Sequence, residues 1–215
     1  MRACGVLLPI SGLPSAYGIG CFSKEAYDFV DQLIAAGQKY WQILPLGPTS
    51  YGDSPYQSLS TFAGNPYFID LERLIQEGLL KEEECKAVDF GDNESYVDFE
   101  KIYLGRYKVL YQAFLRYDCA GDEAFGEFVR NNGYWLEDYC LYVAIKEQQG
   151  GISWNLWPQE LRDRHPKALQ ECREKLAEEI QFQKFLQYLF YKQWGWLKNY
   201  ANENGVQIIG DIPIY

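Results

Sequence analysis

The sequence predicts an α/β fold built on parallel strands with a large helical insertion, and three observations carry that expectation. Three short runs, GVLLP at Gly5–Pro9, YWQILPL at Tyr40–Leu46 and VQII at Val206–Ile209, are apolar without polar alternation, the pattern of parallel strands packed on both faces. Segments of helical period separate them. The first two runs open into long loops rich in Gly, Pro and Ser, which is how a parallel scaffold presents a site at the C-terminal ends of its strands.

The loop after the first strand, ISGLPSAYGIGCF, is broken four times by Gly or Pro before Ser23. Ser23 reads as a helix N-cap, with Glu25 near the positive end of the helix. Ala26, Phe29, Val30, Leu33 and Ile34 then fall on one helical face, and Gly37 stands where a left-handed closing residue belongs. Tyr40–Leu46 follows as the second strand, so strand, helix and strand form one right-handed crossover unit.

From Leu71 to about Gly150 two or three helices are expected and no strand. Phe99, Tyr103, Tyr107, Leu110, Tyr111 and Phe114 mark one helix face, and Trp135, Leu136, Tyr139, Cys140 and Val143 another. GISWNLWPQELRDRHP forms an aromatic loop, in which Trp154 and Trp157 are either a stacking platform or a plug that seats the insertion. His165 reads as a neighbour of the helix start at Pro166 and not as a catalyst. The pattern to Asn204, with Phe182, Phe185, Leu186, Leu189, Phe190, Trp194 and Leu197 on its apolar face, is too long for one ordinary helix, and a break is expected near Ala177–Glu179. The expected organisation is 1–70 for the first two strands and their loop, 71–166 for the helical insertion, and 167–215 for a helix and the third strand. The chain ends directly after an apolar run and is expected to be the N-terminal portion of a longer protein. Three strands alone leave the edge of the third strand and one side of all three exposed, a surface that favours association.

Composition narrows the partners. Of the 215 residues, 47% are apolar, so the chain can bury a core. A net charge of −10 with no Lys/Arg cluster excludes nucleic acid as partner. Six scattered cysteines and one histidine show no metal-ligand spacing, so no metal is expected, and the thiols read as buried and reduced, as in a cytoplasmic protein. No signal peptide or membrane span is visible, and neither a P-loop nor GxGxxG supports a nucleotide cofactor. No cofactor of any kind is expected. The runs Glu82–Glu84 and Glu178–Glu179 read as solvated helix faces.

The chemistry concentrates in YGDSPYQ after the second strand, and in Asp211 after the third. Tyr51 and Tyr56 can stack on the C–H face of a sugar ring while their hydroxyls reach its rim. Asp53 and Ser54 offer short hydrogen-bonding groups, although Gly-Asp-Ser-Pro is equally ordinary turn chemistry. Asp211 can hold a substrate hydroxyl, orient an arginine, or cap the following turn. Asn65-Pro66-Tyr67 reads as structural, fixing the return of the loop.

Together GVLLPISGLPS, YWQILPLGPT, YGDSPYQSLSTFAGNPYFID, SWNLWP, FQKFLQYLFYKQW and GDIPIY resemble the amylomaltases, the 4-α-glucanotransferases of glycoside hydrolase family 77, in the same order along the whole chain. The resemblance implies a (β/α)₈ TIM-type barrel with helical insertions, of which this chain holds the first three strands. It implies transfer of α-1,4-glucan segments to the 4-hydroxyl of an acceptor glucan by a retaining double displacement, with maltooligosaccharides and α-1,4-glucans as partners. Retention requires a nucleophilic carboxylate and an acid/base roughly 5–5.5 Å apart. By match to the family motifs, Tyr56 resembles the tyrosine stacking at the cleavage site, Ser54 a sugar-hydroxyl contact, Tyr51 an aromatic of an outer glucan site, and Asp211 the strand-three aspartate that shapes the pocket. No residue here matches the family's nucleophile or acid/base, so catalytic residues are expected outside these 215 residues and the chain alone is expected to be inactive. The alternatives are an α-amylase-like glycoside hydrolase and a non-catalytic maltodextrin-binding module.

Overall fold

The three apolar runs pair as a parallel sheet in the order β1 (Gly5–Leu7), β2 (Tyr40–Gln42), β3 (Gln207–Ile209). In this computed structural model, residues 2–49, 52–91, 93 and 95–213 are described. Register is uniform, with Gly5, Tyr40 and Gln207 aligned, then Val6, Trp41 and Ile208, then Leu7, Gln42 and Ile209. Each strand is only three residues, shorter than its apolar run. Beyond them Leu8 still donates to Gln42 and Ile43 to Ile209, but Pro9 and Pro45 have no N–H to extend a ladder.

The expectation that these strands are fully buried needs correction. Side chains alternate across a sheet, and the face that includes Trp41 packs on α1 (Lys24–Ala35), where Trp41 is wholly buried with its ring edge-on to Phe29 at 5.0 Å. On the opposite face Leu7 is 56% and Ile209 43% exposed. A continuous apolar run therefore marks strands that can accept cover on both faces. Among the described residues the face opposite Trp41 is open, and on the Trp41 face cover is complete at Trp41 but not at Val6 of β1, 36% exposed.

Of the expected face helix α1 buries Ala26, Val30 and Leu33, with Phe29 half-buried, whereas Ile34 at its edge is 39% exposed. Ser23 stands at its N-cap, but the hydroxyl donates to the Glu25 carboxylate instead of accepting a backbone amide. The C-terminus closes at Gly37, φ 70°, where Gln38 N–H donates to Leu33 and Gly37 N–H to Ile34. This paired closure leaves a left-handed residue that glycine adopts without steric cost.

The chain divides into two units, Met1–Tyr117 with Leu189–Tyr215, and Asp118–Tyr188. The first holds the sheet, α1, α2 (Leu71–Gln76), α3 (Glu82–Lys86) and α4 (Phe99–Arg116). The second holds α5 (Glu123–Gln148), α6 (Gln159–Arg162), α7 (Pro166–Lys175) and the start of α8 (Ala177–Glu203), whose residues from Leu189 onward belong to the first. The expected break in the long helical stretch falls at Leu176, with His165 and Pro166 at the N-cap and first turn of α7. In the second unit α5 is capped by Asp122, which accepts from Ala124 and Phe125 N–H and, on its other oxygen, from the Tyr188 hydroxyl at 3.3 Å. There Trp157 is buried against Tyr142 at 5.4 Å, whereas Trp154 is half exposed. Among the cysteines Cys21, Cys85 and Cys140 are buried, but Cys4 is exposed and Cys119 and Cys172 half-buried, contrary to uniform burial. Among the described residues no helix is long and apolar enough to cross a membrane, and no group of three His, Cys, Asp or Glu could hold a metal ion.

The period of α4 places its expected apolar stripe along Phe99, Tyr103, Tyr107, Leu110, Tyr111 and Phe114. Of that stripe only Leu110 is fully buried; the other buried residues are Ile102, Gly105, Arg106, Val109 and Ala113, and Tyr103 is 54% exposed. Aliphatic and small residues take the interior and tyrosines the rim, where a ring packs and its hydroxyl stays wet.

Glu84 is also more than a solvated acid. Its carboxylate accepts from the Lys81 N–H and from both terminal nitrogens of Arg116. The Arg116 hydrogen bonds, followed by the Lys81 amide, hold it down to about 2. A carboxylate whose folded value lies below its unfolded value, about 4.3 for Glu, contributes stability that is complete above that value and is lost as pH falls through about 2. The thermal midpoint of Glu84→Gln should therefore lie below wild type at pH 6, and the gap should narrow below pH 4 as both are titrated. A gap independent of pH in circular-dichroism melts would contradict the pairing.

Candidate functional site

The loops after β2 and β3 meet at the C-terminal end of the sheet. The Tyr56 hydroxyl donates to the Asp211 carboxylate at 2.8 Å, across 155 positions of sequence. The other Asp211 oxygen accepts from the Ile212 N–H at 2.8 Å, so both oxygens have defined partners and the carboxylate has a fixed orientation. Hydrogen bonding to that carboxylate pushes the Tyr56 phenol above its ordinary value, which keeps it a donor. Tyr56 is half-buried and Asp211 exposed. An aromatic face beside an oriented carboxylate can stack on one sugar ring and accept hydrogen bonds from its hydroxyls.

Ser54 stabilises the turn that delivers Tyr56: its hydroxyl oxygen accepts from the Tyr56 N–H at 3.3 Å. The neighbouring Asp53 occupies the left-handed region, φ 53°, which Asp tolerates better than most residues. It lines a hollow of about 100 Å³ with Ser11, Thr49, Asn65, Tyr67 and Phe99, and burial raises its carboxyl above the usual range. Tyr51 lies outside the described residues.

The return of the loop is built by close approaches. A Cβ on Gly47 would lie 2.5 Å from the Ser58 hydroxyl, and one on Gly64 only 2.1 Å from the Phe190 ring of α8. Ser58 donates to the Ser60 carbonyl, the Ser60 hydroxyl accepts from Phe62 and Ala63, and Tyr191 donates to the Phe62 carbonyl. Asn65 accepts from Tyr67 N–H at 3.0 Å and caps a short turn at Pro66–Phe68, as its structural reading requires. Beside Asp211 these residues enclose a cleft of about 200 Å³ that includes Ser60, Thr61, Phe62, Tyr191 and Trp194.

Arg106 is the residue the sequence did not point to. It is wholly buried, in a position of α4 whose neighbours at 102, 109, 110 and 113 are apolar or small. The available signal was a cation inside an aliphatic helical period, masked by the tyrosine stripe beside it.

Comparisons with known proteins agree with one another. The glycoside hydrolase 77 family model, described as 4-alpha-glucanotransferase, matches residues 8–215. A 4-alpha-glucanotransferase of Clostridium butyricum is 48% identical over 206 residues, 96% of this chain and 42% of its own length. One from Streptococcus pneumoniae is 50% identical over 216 residues, covering all of this chain and 43% of its own length. The solved amylomaltase from Streptococcus agalactiae in complex with acarbose superposes with a TM-score of 0.95 at 43% identity, over 100% of this chain and 44% of that one. The chain thus spans about 43% of the length of the curated relatives it matches, and its α/β arrangement of a three-strand parallel sheet with many helices is that of an amylomaltase. On the family match and these identities, the chain belongs to the 4-alpha-glucanotransferase family, glycoside hydrolase family 77.

Proposed function

We propose that this chain forms part of the glucan-binding surface of a 4-α-glucanotransferase, an enzyme that transfers α-1,4-glucan segments between maltooligosaccharides by a retaining double displacement. The observation that carries the reading is the Tyr56–Asp211 hydrogen bond, which sets a sugar-stacking ring and a hydrogen-bonding carboxylate at one point of the strand ends. In this reading Tyr56 stacks on the glucosyl unit at the cleavage site, Asp211 shapes its pocket, Ser54 contacts a sugar hydroxyl, and Tyr51 serves an outer glucan site. A relative in complex with acarbose supports oligosaccharides as the ligand class. The three strands are the first of a (β/α)₈ barrel, with 1–70 its start, 71–166 a helical insertion and 167–215 the return to the third strand, in a cytoplasmic protein. The nucleophile and the acid/base belong to strands outside these residues.

Maltotriose incubated with the complete gene product should yield glucose and maltodextrins longer than the substrate, read by chromatography, while the 215-residue chain alone yields neither. Glucose and maltose without longer products would point to an α-amylase-like hydrolase. Turnover by the 215-residue chain would move the chemistry onto its own carboxylates.

A further inference from the structure

Arg106 sits beneath the two loops that lead to the site. One terminal nitrogen donates to the Tyr17 carbonyl at 3.4 Å, in the loop after β1, and the other to the Ile69 carbonyl, at the end of the loop after β2. The buried Cys21 thiol lies beside it. Its Nε finds no partner among the described residues. Backbone carbonyls in irregular buried segments need donors, and a planar fork on a long stem can reach two of them from one helix position.

Both loops line the 100 Å³ hollow, the first through Ile10, Ser11 and Ile19 and the second through Asp53, Asn65 and Tyr67. They also touch directly, where Phe22 N–H donates to the Phe68 carbonyl at 2.9 Å. Asp70, next to Ile69, accepts from Glu72 N–H at 3.0 Å to cap α2, and its own N–H donates to Gln193 of α8 at 2.7 Å. Burial pushes the Asp70 carboxyl up to about 6, against the Glu72 amide and the Arg106 cation, which pull it down.

Close packing contributes to the seat of α4 beside the guanidinium. A Cβ on Gly105 would lie 2.7 Å from Val88, and one on Gly18, φ 76°, 2.1 Å from the Phe90 carbonyl. At α4 itself the close approaches are Gly105 to Val88 and Phe90, and Ile102 to Gly18, 3.0 Å from where that Cβ would lie. A buried cation with an unmet donor is costly for stability alone, and its contacts are the carbonyls of Tyr17 and Ile69 and the thiol of Cys21, all in the two loops.

We propose that Arg106 is a positioning residue that holds the loops after β1 and β2 at the separation glucan binding requires, acting through the Tyr17 and Ile69 carbonyls. The role in binding rests on the transferase reading above; the role in holding the loops does not.

The test uses the complete gene product with Arg106→Met, which keeps the length and removes charge and donors, and Arg106→Lys, which keeps the charge. Hydrogen–deuterium exchange should become about tenfold faster in peptides from residues 8–22 and 47–69 of Arg106→Met, the scale of losing one or two hydrogen bonds, with α1 and α5 unchanged. The maltotriose KM should rise about tenfold with kcat within about twofold, and Lys should recover part of both effects. Unchanged exchange in the two loops overturns the proposal, as does faster exchange spread evenly over the chain, which is general destabilisation. Faster loop exchange with unchanged KM refutes the part concerning binding. If the wild type makes no product from maltotriose, the transferase reading falls and exchange alone decides the loop-holding role. Should Arg106→Met not fold, Arg106→Lys carries the same comparisons.

Discussion

Trp41→Ala is expected to leave the chain largely unfolded at 37 °C. Trp41 is the central residue of the central strand, has no solvent exposure, and packs edge-on to Phe29. Its indole N–H donates to the Leu8 carbonyl at 2.8 Å, just past the end of β1. Removing a buried tryptophan costs about 3–5 kcal/mol through lost transfer energy and the cavity left behind. The Leu8 carbonyl then loses its donor, adding about 1–3 kcal/mol if water cannot reach it. Against a total stability of about 5–15 kcal/mol for an ordinary domain, that loss removes most of the margin. Trp41→Phe should retain part of the packing and lose the hydrogen bond, falling between wild type and Ala in urea midpoint. A Trp41→Ala midpoint within error of wild type would mean that α1 does not rest on the sheet through this residue.

Much of the scaffold was legible because its signals are local. The α1 face, the Gly37 closure, the break before Ala177 and the parallel runs all follow from periods and special residues within a few positions of one another. The errors share one cause, which is that the partner of a face is not local. GVLLP and VQII carry the pattern of strands buried on both sides, yet a run of apolar residues reports what a strand can accept and not what covers it, and Leu7 and Ile209 stay exposed. On α4 the large aromatic stripe outweighed the smaller aliphatic one adjacent to it, and the helix buries Ile102, Val109 and Ala113 instead. That rotation also hid Arg106.

The candidate site was legible in its parts and not in its connection. Tyr56 and Asp211 each follow a strand of one parallel sheet, so their placement at the same end comes from strand direction. That they bond to each other depends on the path of a loop that bends back through Gly47 and Gly64, where only the lack of a side chain allows the approach. No spacing rule spans 155 residues.

The most direct measurement of the central claim is kcat/KM for maltotriose in the complete gene product carrying Tyr56→Phe, Asp211→Asn, and both. Asp211→Asn removes the charge that accepts from Tyr56 and is expected to lower kcat/KM about 10²-fold or more, the scale of losing an oriented polar contact to the reacting sugar. Tyr56→Phe keeps the stacking ring and removes only the bonded hydroxyl, so its loss should be smaller. Because the two side chains are bonded, the double variant should be little worse than Asp211→Asn alone. That non-additive result is predicted by a single site built from both residues. Wild-type turnover in Asp211→Asn, or losses that simply add, would show that the bond between them does not form the glucan site.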